Sequence, residues 1–260
     1  MKKVITWALI LTLALSLLAG CAGTKTDSDL AYVQDKGKLL VGITDYAPMD
    51  YKDENGQWIG FDADLSKLFA EELDVECEFV VLTDWSKKFY ELETKNIDVI
   101  WNGMTITDEV KLNTNCSDPY VINAQVLVMK ADVIGNYTTV ESLSGLKFAV
   151  ENGSAGQDVL DDNNIKDYVS LQDQAAALME VAAGTSDACV IDITMAEAMT
   201  GEGTSYANLA AGLRLTEEEY GVGFRKGSDI TAKFNAFLDD KLADGTLEAL
   251  AQKYNVSLVK

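Results

Sequence analysis

Histidine is missing from all 260 residues. That excludes every His-based catalytic triad, every His-containing zinc site and the HExxH protease motif. Proline is scarce, with 2 in the chain, and so is positive charge: Lys and Arg total 21 against 42 acidic residues, a formal net charge of −21. A surface this acidic repels phosphate backbones, which argues against nucleic acid as a partner, and otherwise serves solubility. What is present is ordinary for a folded chain. Hydrophobic residues at 48% and charged residues at 24% exclude a disordered or collagen-like polymer and provide for one large or two small domains without disulfide staples.

The long apolar run stands at the start. Met1-Lys2-Lys3 is a short basic region, and Val4 to Ala19 is apolar apart from Thr and Ser. The run is too short and one-sided for a membrane span and fits a secretory signal over residues 1–20. It ends at Leu18-Ala19-Gly20-Cys21, which resembles the lipobox of bacterial lipoproteins, where the cysteine receives a diacylglyceryl group. Residues 21–29 are small and polar and read as a tether, so the mature protein is expected to hang outside the cytoplasmic membrane by lipid chains on Cys21. Cys77, Cys116 and Cys189 remain; an odd number cannot all pair, and no spacing fits a metal knuckle. No metal or cofactor is expected. Small residues filling buried positions are favoured over a Cys77–Cys116 disulfide, which stays open as the alternative.

From residue 38 the hydrophobic period keeps switching. Lys38 to Ile43 reads as a strand ending in Thr44-Asp45; Phe61, Leu65, Leu68, Phe69 and Leu73 recur at helical spacing; Val75 to Leu82 is the next strand. A helix carrying Trp85, Phe89 and Leu92 leads to a third strand, Asp98 to Trp101, which ends in Asn102-Gly103-Met104-Thr105. This is a βαβαβ unit with a parallel sheet. A second series starts at Lys147 to Val150, passes through Glu151-Asn152-Gly153-Ser154-Ala155-Gly156 into a helix, and continues with a stripe of Ala175, Leu178, Met179 and Ala182 and a buried strand, Asp187 to Ile191, ending in Asp192. A polar strand, Tyr220 to Arg225, precedes two closing helices marked by Ile230, Phe234 and Phe237 and by Leu247, Leu250 and Tyr254. The fold class is α/β in two lobes, each a mostly parallel sheet flanked by helices.

In open α/β sheets ligands bind beyond the carboxyl ends of the strands. Here those ends carry Thr44-Asp45, Asn102 to Thr105, Glu151 to Ser154, and Asp192. An Asp at a strand end is often a helix cap instead. Four polar ends shared between two lobes point to a cleft that encloses a small ligand.

Six segments then carry a family resemblance: Gly37-Lys38-Leu39-Leu40-Val41-Gly42; Gly60-Phe61-Asp62-Ala63-Asp64-Leu65; Gly103-Met104-Thr105-Ile106-Thr107; Ser117-Asp118-Pro119-Tyr120; Glu151-Asn152-Gly153-Ser154; and Tyr220 to Ser228. In this order the chain resembles the extracytoplasmic solute-binding proteins of ABC importers, in the polar amino acid branch, with the type II periplasmic-binding-protein fold. The resemblance implies a two-lobe clam with two crossover strands at its hinge: residues 30–120 and 222–260 in the first lobe, 121–221 in the second. It implies ligand capture without chemistry, delivery to a membrane permease with its ATPase, and action as a monomer. It places Tyr46 and Trp85 as aromatic walls, with core packing as the alternative for each. Asn102, Gly103 and Thr105 would offer carbonyls, an N–H and a hydroxyl; Ser154 and Ala155 would open a helix whose N–H groups suit a carboxylate; and Asp192 would accept from an α-ammonium group.

One position departs from the pattern. The family usually carries an arginine three residues after Thr107, to grip the ligand carboxylate as a bidentate fork, and here that residue is Val110. Neighbouring Lys111 lies about 100 degrees round a helix from it and is a point charge. The chain has two arginines, Arg214 and Arg225, of which Arg225 is expected in hinge or surface structure. Either backbone N–H groups alone hold the carboxylate, or the ligand class differs. Asp45, Glu151 and Asp192 would bring up to three negative charges to the cleft, beside the π faces of Tyr46 and Trp85, so a ligand with at least one ammonium or guanidinium group is expected: a basic amino acid, an amine or a modified amino acid. Two other functions stay in view. One is a secreted dehydratase of cyclic precursors of aromatic amino acids, with Glu151 as general acid; the other is a sensor acting through a membrane partner.

Overall fold

Residues 28–260 are described in the computed structural model. The expected signal, Cys21 and most of the tether lie outside the described residues. Asp29, read above as the end of the tether, is already helical: Ser28 accepts from the Ala31 N–H and starts α1 (Asp29–Lys36), which Gly37 closes in the left-handed conformation. Next come β1 (Lys38–Ile43), the hairpin β2 (Tyr51–Lys52) and β3 (Trp58–Ile59), α2 (Phe61–Glu72), β4 (Glu76–Val81), a single 3-10 turn at Trp85–Lys87, α3 (Lys88–Glu93), β5 (Val99–Ile100), α4 (Asp108–Asn113) and β6 (Asn115–Cys116). The chain crosses over in β7 (Val121–Asn123). It then forms β8 (Gln125–Lys130), β9 (Phe148–Glu151), α5 (Ala155–Asp162), β10 (Tyr168–Leu171), α6 (Gln174–Ala183), β11 (Ala188–Asp192), α7 (Ile193–Met199) and β12 (Leu209–Arg214). It returns through β13 (Glu218–Tyr220) and β14 (Gly223–Phe224) to α8 (Ile230–Ala243) and α9 (Thr246–Tyr254).

Two five-stranded sheets result, ordered β4-β1-β5-β14-β6 and β10-β9-β11-β8-β12. Each is mixed. The strands read from the sequence pair in parallel, β4 and β5 on β1 and β11 on β9, as does β10, which was not read there, while β14, β6, β8 and β12 join antiparallel. These antiparallel members flank the crossovers, and β6 and β14, at two residues each, are too short to leave a periodic signal. The crossover itself is a ribbon in which Val121 of β7 faces Tyr220 of β13. The polar run Tyr220 to Arg225 is accordingly not one strand: it breaks at Gly221-Val222, where the chain passes from the ribbon to the first sheet and a Cβ on Gly221 would lie 2.8 Å from the Cys116 sulfur.

Apolar faces hold both layers together. Phe61, Leu65 and Phe69 of α2 are buried, and Phe69 meets Phe234 and Phe237 of α8 with ring centroids 5.0 and 5.1 Å apart. In α6 the buried face is Gln174, Ala177, Leu178 and Val181, and Met179, expected inside, is 61% exposed. The stripe is turned because Gln174 is drawn into the space between the lobes by Asp192, as described below. Cys77 and Cys116 are half-buried, Cys189 is fully buried, and all three are free.

Candidate ligand-binding site

The ends of β5, β9 and β11 converge on a narrow cavity of about 30 Å³ between the two sheets. From the first lobe it is lined by Trp85, Lys88, the Asn102–Thr105 loop, Glu109 and Val110, and from the second by Glu151, Gly153 to Ala155, Asp158, Gln174 and Asp192. The lobes touch at its edge: the Lys88 ammonium donates to the Gly153 carbonyl at 2.9 Å, and the Asn152 amide donates to Asp84 at 3.1 Å. Gly153 has φ +72°, and a Cβ there would fall 2.7 Å from the Ser86 Cα. Only a glycine permits this approach in that conformation.

On the first-lobe side the polar groups are largely spent on holding the loop. Asn102 exchanges two hydrogen bonds with Thr44, accepting from its N–H at 2.9 Å and donating to its hydroxyl at 2.8 Å. The Gly103 N–H donates to Asp62 at 2.6 Å, and the Tyr120 hydroxyl donates to the other oxygen of the same carboxylate at 2.7 Å. The Gly-Phe-Asp segment therefore fixes this loop from beneath. Thr105 donates to Glu218 at 2.8 Å. Val110 is buried, with Leu82, Trp85, Leu92 and Met104 in its apolar cluster, while Lys111 is exposed.

On the second-lobe side Ser154 caps α5, accepting from the Gln157 N–H and donating to the Glu151 carbonyl, and Ala155 is the first helical residue. Asp192 occupies the cap position of α7 but makes no capping bond. Its carboxylate instead accepts from Asn123, from Gln125 at 2.8 Å and from Gln174. The Asn123 and Gln125 amides also donate to Glu218, at 3.1 and 3.0 Å, which ties the hinge ribbon to the site. Glu151 is 3% exposed, and its Oε1 meets no donor among the described residues.

Burial sets the electrostatics. It pushes the Glu151 carboxyl well above its ordinary value, and the charges of Asp192 and Asp173 add to this. Asp192 is pushed up to about 7 by burial first and the Glu218 charge second, against the pull of its hydrogen bonds. The Lys88 ammonium, 4% exposed, is lowered by burial, and the charges of Glu109, Glu151 and Asp158 oppose that lowering. The cavity thus holds four acids and one lysine among the described residues.

A family model described as bacterial extracellular solute-binding proteins, family 3, matches residues 39–257. The chain belongs to this family. Relatives of this solute-binding protein include the L-cystine-binding protein TcyJ of Escherichia coli, 30% identical over 253 residues that span 95% of this chain and 94% of that protein. Among solved structures, the P235GK mutant of ArgBP from T. maritima is 33% identical with a TM-score of 0.81, over 87% of this chain and 98% of that one. The ancestral amino acid-binding protein AncCDT-1, described as a precursor of cyclohexadienyl dehydratase, is 33% identical with a TM-score of 0.79, over 87% and 99%.

Trp85, Asn102, Gly103, Thr105, Val110, Glu151, Ser154, Ala155 and Asp192 of this family member all border the cavity. Asp45 and Tyr46 do not. Asp45 is exposed, its carboxyl raised by partial burial and the charge of Asp173. Tyr46 is 2% exposed beneath the loop: its hydroxyl lies 2.5 Å from that of Tyr220, and a Cβ on Gly103 would meet its ring at 2.5 Å. It packs in the core because Gly103 covers the face expected to meet ligand. The Gly103 N–H likewise points to Asp62 instead of the cavity, since a buried carboxylate requires the donor. Arg225 is spent inside the first lobe on Asp29, Asp98 and two carbonyls. Lys88 was not anticipated, and it adds a cation to a site expected to be lined by acids and aromatic rings. Its signal was its spacing: three residues after Trp85 and four before Leu92 is one helical face.

Proposed function

We propose that this extracellular solute-binding protein captures an amino acid with at least one ammonium or guanidinium group and delivers it to the permease of an ABC importer, driven by the partner ATPase. The carrying observation is the cavity with four acids and one lysine, whose two walls come from different lobes. Relatives named for cystine and arginine support an amino acid as ligand. Ligand contacts fall to Trp85, Asn102, Thr105, Glu151, Ser154, Ala155 and Asp192, with Val110 as an apolar wall. The lobes divide near 120/121 and 221/222, on either side of the β7–β13 ribbon. A lipid on Cys21 holds the protein, as a monomer, at the outer face of the cytoplasmic membrane, where a permease is within reach. Thermal-shift screening against amino acids, peptides and amines tests the reading, because ligand raises apparent stability by mass action. Stabilisation by cationic amino acids supports it, and a response confined to acidic ones contradicts it.

A second reading, dehydratase chemistry with Glu151 as general acid, draws on that buried, proton-retaining carboxyl and on the likeness to AncCDT-1. Product formation from a cyclic dienyl acid would establish it over simple capture.

A further inference from the structure

Lys88 and Glu151 border the same cavity from opposite lobes, and both have hydrogen-bonding capacity left over. An ammonium group has three donors. Among the described residues Lys88 uses one, on the Gly153 carbonyl, and takes part in none of the ion pairs. Its ammonium lies 5.2 Å from the Trp85 ring centroid and 4.7 Å from that of Phe89, and the charges of Glu109, Glu151 and Asp158 act on it although none of the three is paired with it. Across the cavity the Glu151 Oε1 has no donor. Buried opposite charges ordinarily relieve their desolvation by pairing with each other. These two do not: Lys88 opens α3 in one lobe, and Glu151 ends β9 in the other.

An ammonium and a carboxyl group without a donor, held apart across the cavity, are complementary to a solute with the reverse arrangement, a carboxylate at one end and an ammonium at the other. The other candidate anchors for a carboxylate are elsewhere. Val110 is apolar, Lys111 and Arg214 are exposed, and Arg225 is occupied in the first lobe. The bond from Lys88 to Gly153 also sets the ammonium beside the loop that opens α5, whose first N–H groups add positive potential.

We propose that Lys88 is the specificity-determining residue of the cleft: it holds the ligand's carboxylate in place of a first-lobe arginine, while Glu151 and Asp192 take the ammonium, so that the site selects amino acids over the corresponding amines. This rests on reading the cleft as an amino acid site and names the group that reads the carboxylate.

The test is calorimetric titration of the purified protein with two probe pairs, L-arginine with agmatine and L-lysine with cadaverine, in which each amine lacks only the carboxylate. The wild type is expected to prefer a bound amino acid over its amine by about thirtyfold or more, from a charge-assisted contact in a closed site. Lys88→Met should bring that preference within about threefold, chiefly by weakening the amino acid, and Lys88→Arg should restore most of it. The melting temperature of ligand-free Lys88→Met should not fall. An unchanged preference in Lys88→Met overturns the proposal. So does an equal loss for amino acid and amine, which would make Lys88 a closure latch acting through Gly153. If wild type binds neither pair nor any other amino acid, the amino acid reading itself fails and the proposal falls with it; binding of amino acids with selectivity independent of Lys88 refutes the proposal alone.

Discussion

Asp192 and Glu151 are both buried acids, yet they are held differently, and different substitutions expose this. Asp192 accepts from three side-chain amides, so Asp192→Ala would leave those donors without an acceptor and lower stability by about 1–3 kcal/mol. Ligand-free Glu151 has an oxygen with no donor, so Glu151→Gln is expected to keep or raise the melting temperature while weakening a cationic ligand by about tenfold or more. A large loss of stability in Glu151→Gln would show that the carboxyl is structural. The Asp192 carboxyl also sets a pH dependence. Its folded value of about 7 stands above its ordinary 3.8, so between these the folded chain keeps a proton that the unfolded chain releases. Stability of the ligand-free form should therefore decline as pH rises from about 4 to 7, and Asp62, also raised to about 7, acts in the same sense. A ligand ammonium favours the ionised carboxylate, so affinity for L-arginine should rise by up to about tenfold per unit as pH approaches 7 and then level off. Titrations at pH 5.5 and 7.5 check this, and affinity falling with rising pH would contradict it.

At the scale of elements, the loop from β9 to α5 controls how closely the lobes approach. Gly153 combines a left-handed backbone with direct contact on Ser86, so Gly153→Ala should cost about 1–2 kcal/mol of stability and, beyond that, hold the lobes apart. Small-angle scattering with saturating ligand should then report a larger radius of gyration than wild type; equal radii would show that the contact is dispensable. The same loop shows how far the sequence could be read. The run Glu151 to Ser154 at a strand end, like Asp192 and the Asn102 loop, was legible because periodicity and strand-end polarity are local properties. Tyr46 was not, since whether its ring lines a cavity or lies beneath one depends on Tyr220, 174 residues away. Lys88 was hidden within Ser86-Lys87-Lys88, which reads as a solvated face, although Lys87 is exposed and Lys88 is not. The antiparallel edge of the first sheet escaped because the two-residue strands β6 and β14 carry no period.

Across the whole molecule, acid outnumbers base on the surface, but the cavity is where the imbalance has consequences, because low dielectric and exclusion of water strengthen each charge there. Two lobes joined by the β7–β13 ribbon bring Lys88 and Val110 from one side against Glu151 and Asp192 from the other. The first lobe presents Lys88 together with Glu109, and the second presents acids without a cation, so the two walls differ in charge. Closure is thereby coupled to a ligand that satisfies both walls at once. Trp85 lies within the cavity and its indole reports that event. The most direct measurement is a titration at pH 7.5, followed by tryptophan fluorescence and calorimetric heat, of L-arginine, L-lysine and L-glutamate, with each solute recovered afterwards for analysis. Saturable binding of a cationic amino acid that is recovered unaltered, with no response to glutamate, is the predicted result; tight binding of glutamate with no response to either cation would contradict it.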